Sequence, residues 1–157
     1  MLLLKYSTGA GKKLKKVESL YSADPKFFIQ MPDGEEAPVF DYKTFPFEIF
    51  VDAPTIHKKG KSRDRVEYYN LVTAFDIETT RNPDDDQAWM YIWMWGFEDI
   101  GVLIGRTWEE LQTAMERIRE RIGSNTLVIL VHNLSFEFQF LRYDLGHRYR
   151  VDDVRQS

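Results

Sequence analysis

The sequence has no cysteine. Disulfides and thiolate metal centres are therefore excluded, and a reducing cytoplasm is the expected location. No apolar run approaches the roughly 20 residues that a helix needs to cross a bilayer, so no membrane association is expected. The start, Met1-Leu2-Leu3-Leu4-Lys5, is too short for the apolar core of a secretion signal. Histidine is scarce, with three residues, so a bound metal would rest mainly on oxygen ligands. There is little excess of one charge. The net value of −4 argues against a surface that coats nucleic acid broadly. Internal repeats and low-complexity tracts are also lacking.

What is present is core material. Of 157 residues, 43% are hydrophobic and 15% aromatic, enough for one domain with an appendage. Charge is unevenly divided. Met1 to Asn70 holds twelve Lys and Arg against ten Asp and Glu, whereas Leu71 to Ser157 holds nine against fifteen. An acidic domain still binds DNA where metal ions carry positive charge to the phosphates. This division suggests an N-terminal extension over 1–68 and a second unit over 69–157.

In the extension, Lys12, Lys13, Lys15 and Lys16 cluster on what reads as a solvated surface. The runs Phe27-Phe28-Ile29 and Phe45 to Val51 read as short strands, with a turn at Pro32-Asp33-Gly34 between them. His57 to Arg65 reads as a loop or linker. Beyond it the pattern sharpens. Tyr69 to Glu78 predicts a strand, and Asn82-Pro83-Asp84-Asp85-Asp86 a polar turn. Ala88 to Phe97 predicts a second strand, apolar on both faces, whose Trp89, Trp93 and Trp95 are expected to pack in a core. Ile100 to Gly105 is a third. Thr107 and Glu110 have the spacing of a capping box. The stripe Trp108, Leu111, Met115, Ile118, Ile122 then predicts a helix ending at Gly123. Thr126 to His132 is a fourth strand and Ser135 to Leu145 a second helix. A helical crossover should bring the fourth strand back parallel to the first. The expected class is α/β with an incomplete mixed sheet and a small β-containing extension.

Asp76 and Glu78 stand two apart near a strand end, and period two puts both carboxylates on one face. Their mutual repulsion is relieved by a divalent cation such as Mg²⁺ or Mn²⁺, which favours hard oxygen ligands. If the fourth strand adjoins the first, Glu137, in the first turn of the following helix, comes to the same sheet edge. There the helix dipole favours a carboxylate. Taken singly, Glu137 is also an ordinary first-turn glutamate and Asn133 an ordinary helix cap. His132 reads as a strand-end residue satisfied by hydrogen bonds.

Phe75-Asp76-Ile77-Glu78-Thr79 resembles the first exonuclease motif of family B DNA polymerases, D-x-E. Asn133-Leu134-Ser135-Phe136-Glu137 resembles their second, N-x-x-F/Y-D, in the spacing of the protein-primed polymerases of phages and linear plasmids. The resemblance covers Tyr69 to about Leu145. It implies a ribonuclease H-like fold and the N-terminal 3′→5′ proofreading exonuclease of a DNA polymerase acting in replication. It further implies two Mg²⁺ or Mn²⁺ ions held by Asp76, Glu78 and Glu137, with no small-molecule cofactor. Thr79, Asn133 and Phe136 would contact the single-stranded 3′ end of DNA, and Leu134 would pack against its terminal bases.

Glu137 stands where the family has Asp, one methylene shorter. The third motif of the family, Y-x-x-x-D, is formally met by Tyr149 and Asp153, and its histidine variant by His147 and Asp152. Both follow the second helix too soon to reach the metals and are set aside. We therefore expect an N-terminal piece of a polymerase, with strand four as an apolar edge that the rest of the polymerase or another chain covers. The alternatives are a non-catalytic DNA-binding or interaction module on a degenerate exonuclease fold, and an unrelated ribonuclease H-like endonuclease.

Overall fold

The computed structural model describes residues 24–52, 55–57, 67–69, 71–98 and 100–149, with backbone alone at 4–5, 16–17, 51–52, 55–57 and 67–68. In chain order the elements are β1 (Leu4–Lys5), β2 (Lys16–Val17), β3 (Phe27–Gln30), β4 (Glu36–Phe40), α1 (Ile49–Asp52), β5 (Thr55–His57), β6 (Glu67–Tyr69), β7 (Thr73–Arg81), β8 (Ala88–Phe97), β9 (Gly101–Gly105), α2 (Trp108–Ile122), β10 (Ile129–Val131) and α3 (Leu134–Leu145). The architecture is α/β. Six strands form one mixed sheet in the order β10-β7-β8-β9-β4-β3, while β1 pairs with β2 and β5 with β6. Among the described residues no helix is long and apolar enough to cross a membrane.

The centre of the sheet is an antiparallel meander of β7, β8 and β9. β10 returns through α2 and lies parallel to β7, with Ile129, Leu130 and Val131 opposite Thr73, Ala74 and Phe75. This is the relation expected of strand four and strand one. On the far side, β4 runs parallel to β9 and β3 antiparallel to β4. Residues 27–50 thus extend the same sheet and enter the same core.

Alternation decides the two faces. Thr73, Phe75 and Ile77 are buried, whereas Ala74, Asp76 and Glu78 are exposed. The buried face carries an aromatic core: Trp95 stacks on Phe97 at 5.3 Å, Phe97 meets Phe45 at 4.8 Å, and Phe75 stands edge-on to Trp95. The Trp93 indole donates to the Thr107 carbonyl at 2.9 Å, tying β8 to the start of α2. A Cβ on Gly105 would meet the Trp93 ring at 2.3 Å, so the strand can approach that indole only with a glycine there. Thr73, a buried polar residue, is satisfied by donating from its hydroxyl to the Val128 carbonyl at 2.7 Å.

The helix starts follow their capping residues. Thr107 and Glu110 form the complete box, the Thr107 hydroxyl accepting from the Glu110 N–H at 3.2 Å and Glu110 Oε2 accepting from the Thr107 N–H at 3.1 Å. Leu111, Ala114 and Ile118 are the buried face of α2. Arg117 lies over the Tyr42 and Phe47 rings and donates to the Tyr42 carbonyl at 2.6 Å, clamping α2 to the N-terminal segment.

Several expectations are corrected. Phe45 to Val51, expected as a strand, is a turn leading into α1. The Asp41 carboxylate accepts from the Lys43 and Thr44 N–H groups, and the Pro46 carbonyl accepts from Ile49. Those local bonds outcompete strand pairing for an apolar run. Tyr69 to Glu78, expected as one strand, divides into β6 and β7, and β7 runs on to Arg81. The fourth strand is shorter than Thr126 to His132. Trp89, expected in the core, is 56% exposed. The pairing of β7 and β8 slips after Glu78: Glu78 faces Ile92, but Thr79 faces Met90, which leaves Tyr91 as an extra residue. Beyond such a bulge the faces of the strand exchange. Of the basic cluster only the Lys16 backbone falls within the described residues, and 58–66 lie outside them.

Candidate functional site

β10 stops at Val131, opposite Phe75. From Asp76 onward, β7 has no strand partner on that side, and the chain after β10 turns at His132 into α3. Asn133 caps that helix, its side-chain oxygen accepting from the Phe136 N–H at 3.3 Å. The cap reading of Asn133 is therefore realised, whatever else the residue does. The first turn of α3 brings Glu137 to β7, where its carboxyl lies within hydrogen-bonding reach of the Asp76 carboxyl.

Glu137 is 1% exposed, the one buried residue of α3. Burial, and then the adjoining Asp76 carboxyl, push its pKa from the ordinary 4.5 up to about 7, while the Asn133 N–H that it accepts pulls the other way. Two carboxyls in contact must share a proton or a cation, because both ionised they repel in a poorly solvated place. Glu137 Oε2 has no hydrogen-bond partner. A buried carboxyl with one unpartnered oxygen, beside a second carboxylate, is a donor set that fits a hard divalent cation.

Glu78 is not part of this contact. Among the described residues no three of His, Cys, Asp and Glu gather as a metal-holding group. The three-carboxylate convergence expected from the sequence is therefore a pair here, Asp76 with Glu137. Glu78 shares the exposed face with Asp76 but sits one pleat, roughly 6.8 Å, further along β7. Period two fixes a face and says nothing of this distance.

The other expected residues surround the pair unequally. Thr79, immediately past the bulge, and Leu134, at the first position of α3, are half-buried. Phe136 is 39% exposed and packs its ring on Phe140 at 5.2 Å. His132 is exposed. Tyr149 is engaged elsewhere: its hydroxyl donates to Glu116 on α2 at 2.8 Å, and burial with that bond pushes it up to about 12. His147 is exposed, and Asp152 and Asp153 lie outside the described residues. The sequence reading brought Asp76 and Glu137 to the same sheet edge; what it missed is that Glu137 is buried there.

No protein-family model, curated protein or solved structure matches this chain.

Proposed function

We propose that the chain carries the site of a metal-dependent 3′→5′ exonuclease on a ribonuclease H-like sheet, in the manner of the proofreading unit of a family B DNA polymerase. The observation that carries this reading is the buried Glu137 carboxyl against Asp76, at the carboxyl ends of the parallel pair β10 and β7. The strand order β10-β7-β8-β9, with α2 as the crossover, supports it. So does the position of both motifs, one on β7 and one opening α3.

Asp76 and Glu137 would hold Mg²⁺ or Mn²⁺, with Glu78 on the same strand face as a further oxygen donor. Bound there in pairs, such ions activate the attacking water and stabilise the leaving oxygen of a phosphodiester. The chain's own residues do the placing. The Asn133 N–H holds the Glu137 carboxylate, and the cap fixes where α3 starts. Phe136, exposed one residue before Glu137, offers a ring to a terminal base. β10, at the sheet edge with Leu130 55% exposed, is the surface that the remainder of a polymerase or another chain would cover.

A second reading is favoured by Glu78 standing apart from the carboxylate pair: a non-catalytic DNA-binding module on a degenerate site. The two readings separate in one assay. A 3′-labelled single-stranded oligonucleotide is incubated with the chain and Mn²⁺. The exonuclease reading expects stepwise release of mononucleotides, reduced by about 10²- to 10³-fold in Asp76→Ala, the loss typical of removing transition-state charge stabilisation. Metal-independent binding with no release, unchanged by Asp76→Ala, would select the module. Cleavage of a closed single-stranded circle would select an endonuclease.

A further inference from the structure

The sheet has a second face, turned away from the aromatic core. Strand partners share a face, so the register carries one row across the sheet: Ala74 on β7, Gly96 on β8, Val102 on β9, Val39 on β4 and Phe27 on β3. The row holds no polar side chain. The helices pack on the opposite face: Phe50 of α1 meets Phe97, and Leu111 of α2 and Leu141 of α3 line one groove with Phe75 and Trp95. Among the described residues no helix lies over the row. A Cβ built on Gly96 would have one neighbour within reach, the Ala74 carbonyl oxygen at 3.8 Å. Ala74 is exposed, and Gly96 and Val102 are half-buried. These three line an open groove of about 510 Å³, together with the exposed Val72 and Met31. The rest of its rim is acidic. Asp33, Glu35, Glu36 and Glu98, all exposed, line the same groove, and no Lys, Arg or His among the described residues does.

We infer that this groove docks a cationic amphipathic helix of a partner protein, its apolar stripe on Ala74, Gly96 and Val102 and its Lys or Arg residues against the acidic rim. Charge selects the partner. An apolar floor edged by carboxylates of one sign fits a segment that is apolar on one side and flanked by cations. The same charge disfavours a second copy of this chain, because an isologous pairing would bring each acidic rim against the other. The strands select a helix. β7, β8, β9 and β4 each have a strand on both sides. The row therefore offers side chains and no free main-chain groups, so an extended peptide laid over it would leave its own N–H and C=O groups unpaired. A helix satisfies those groups internally. Ala74 and Gly96, with a methyl group and a hydrogen for side chains, let its backbone come close. Neither Asp76 nor Glu137 lines the groove, so the docking site is separate from the carboxylate pair and does not rest on the exonuclease reading.

The test is fluorescence anisotropy of a labelled synthetic peptide of about 14 residues, a helix roughly 21 Å long, with leucine at i, i+3, i+4 and i+7 and lysine on both flanks. A second peptide has the same composition, with the leucines scattered around the helix. The full chain is expected to bind the first at least about tenfold more tightly than the second, because only the first buries its leucines together. Ala74→Arg sets a cation in the floor of the groove and is expected to weaken Kd by about tenfold or more. Val72→Arg repeats the test at a second position, 51% exposed. Glu35→Lys with Glu36→Lys is expected to weaken Kd by about three- to thirtyfold and to reduce its dependence on salt. Circular dichroism of each variant checks the fold. The proposal is overturned if the unaltered chain does not bind the one-sided peptide, binds the scattered one equally well, or binds no more tightly than folded Ala74→Arg and Val72→Arg. Self-association of the unaltered chain that Ala74→Arg abolishes, read by sedimentation velocity, also overturns it and gives the groove to a second copy.

Discussion

The two long helices are built on opposite plans. α2 opens with a complete capping box and buries Leu111, Ala114 and Ile118 against the sheet. α3 is richer in apolar residues, with Leu134, Phe136, Phe138, Phe140, Leu141 and Leu145, yet the one residue it buries is Glu137. Between α3, α2 and the sheet lies an open apolar groove of about 120 Å³, lined by Leu141, Leu145, Met115 and Phe75 among others. A helix that leaves its apolar side partly open and buries a carboxyl is a poor source of stability. α2 holds the sheet together, and α3 sets a charged group against it.

Breaking α2 should have the largest effect on stability. Leu111→Ala is expected to cost about 2–5 kcal/mol, because Leu111 is 1% exposed and already borders the groove. Urea denaturation measures this. A cost below about 1 kcal/mol would mean that α2 and α3 do not differ as described.

The burial of Glu137 predicts a smaller effect of opposite character. Its folded pKa, about 7, lies above its ordinary 4.5, so across that window the folded chain binds more protons than the unfolded one. Its stabilising contribution is complete below about 4.5 and is lost as pH rises through about 7. In chelator, the chain should be more stable at pH 5 than at pH 8 by an additional 1–3 kcal/mol or so, relative to Glu137→Gln, which cannot ionise. Mn²⁺ at pH 8 should recover part of that loss in the unaltered chain and none in Glu137→Gln. Parallel pH profiles for the two proteins would remove Glu137 from the account.

The caps give the finest comparison. Thr107→Ala should cost about 1 kcal/mol, since it dismantles a reciprocal pair of bonds. Asn133→Ala should cost about half that, because its single bond is 3.3 Å long and exposed. If the exonuclease reading holds, the order reverses for nucleotide release, and Asn133→Ala becomes the more damaging of the two.

Much of this was legible in the sequence wherever a local signal had one meaning. Thr107 with Glu110 and the stripe behind them located α2 to the residue, and the run from Ala88 to Phe97 located β8. The helical crossover foretold a fourth strand parallel to the first. Phe45 to Val51 misled because an apolar run is shared by strands and by packed turns, and the Asp41 and Pro46 bonds decided it. Trp89 misled because a strand apolar on both faces cannot announce the residue at which its pairing slips. Glu78 was correctly given the face of Asp76, but convergence of three carboxylates is a matter of tertiary distance, which no two-residue spacing contains.

The slip after Glu78 also separates what substitutions can do on either side of it. Toward Phe97, each change on β8 is tested by the core, with Gly105 pressed under Trp93 and no room to vary. Toward Ala88, changes meet mainly water, so that stretch can drift in sequence, or be redesigned, while the packed half stays constant. One extra residue thus makes a single strand into two stretches, one answerable to the core and the other mainly to solvent.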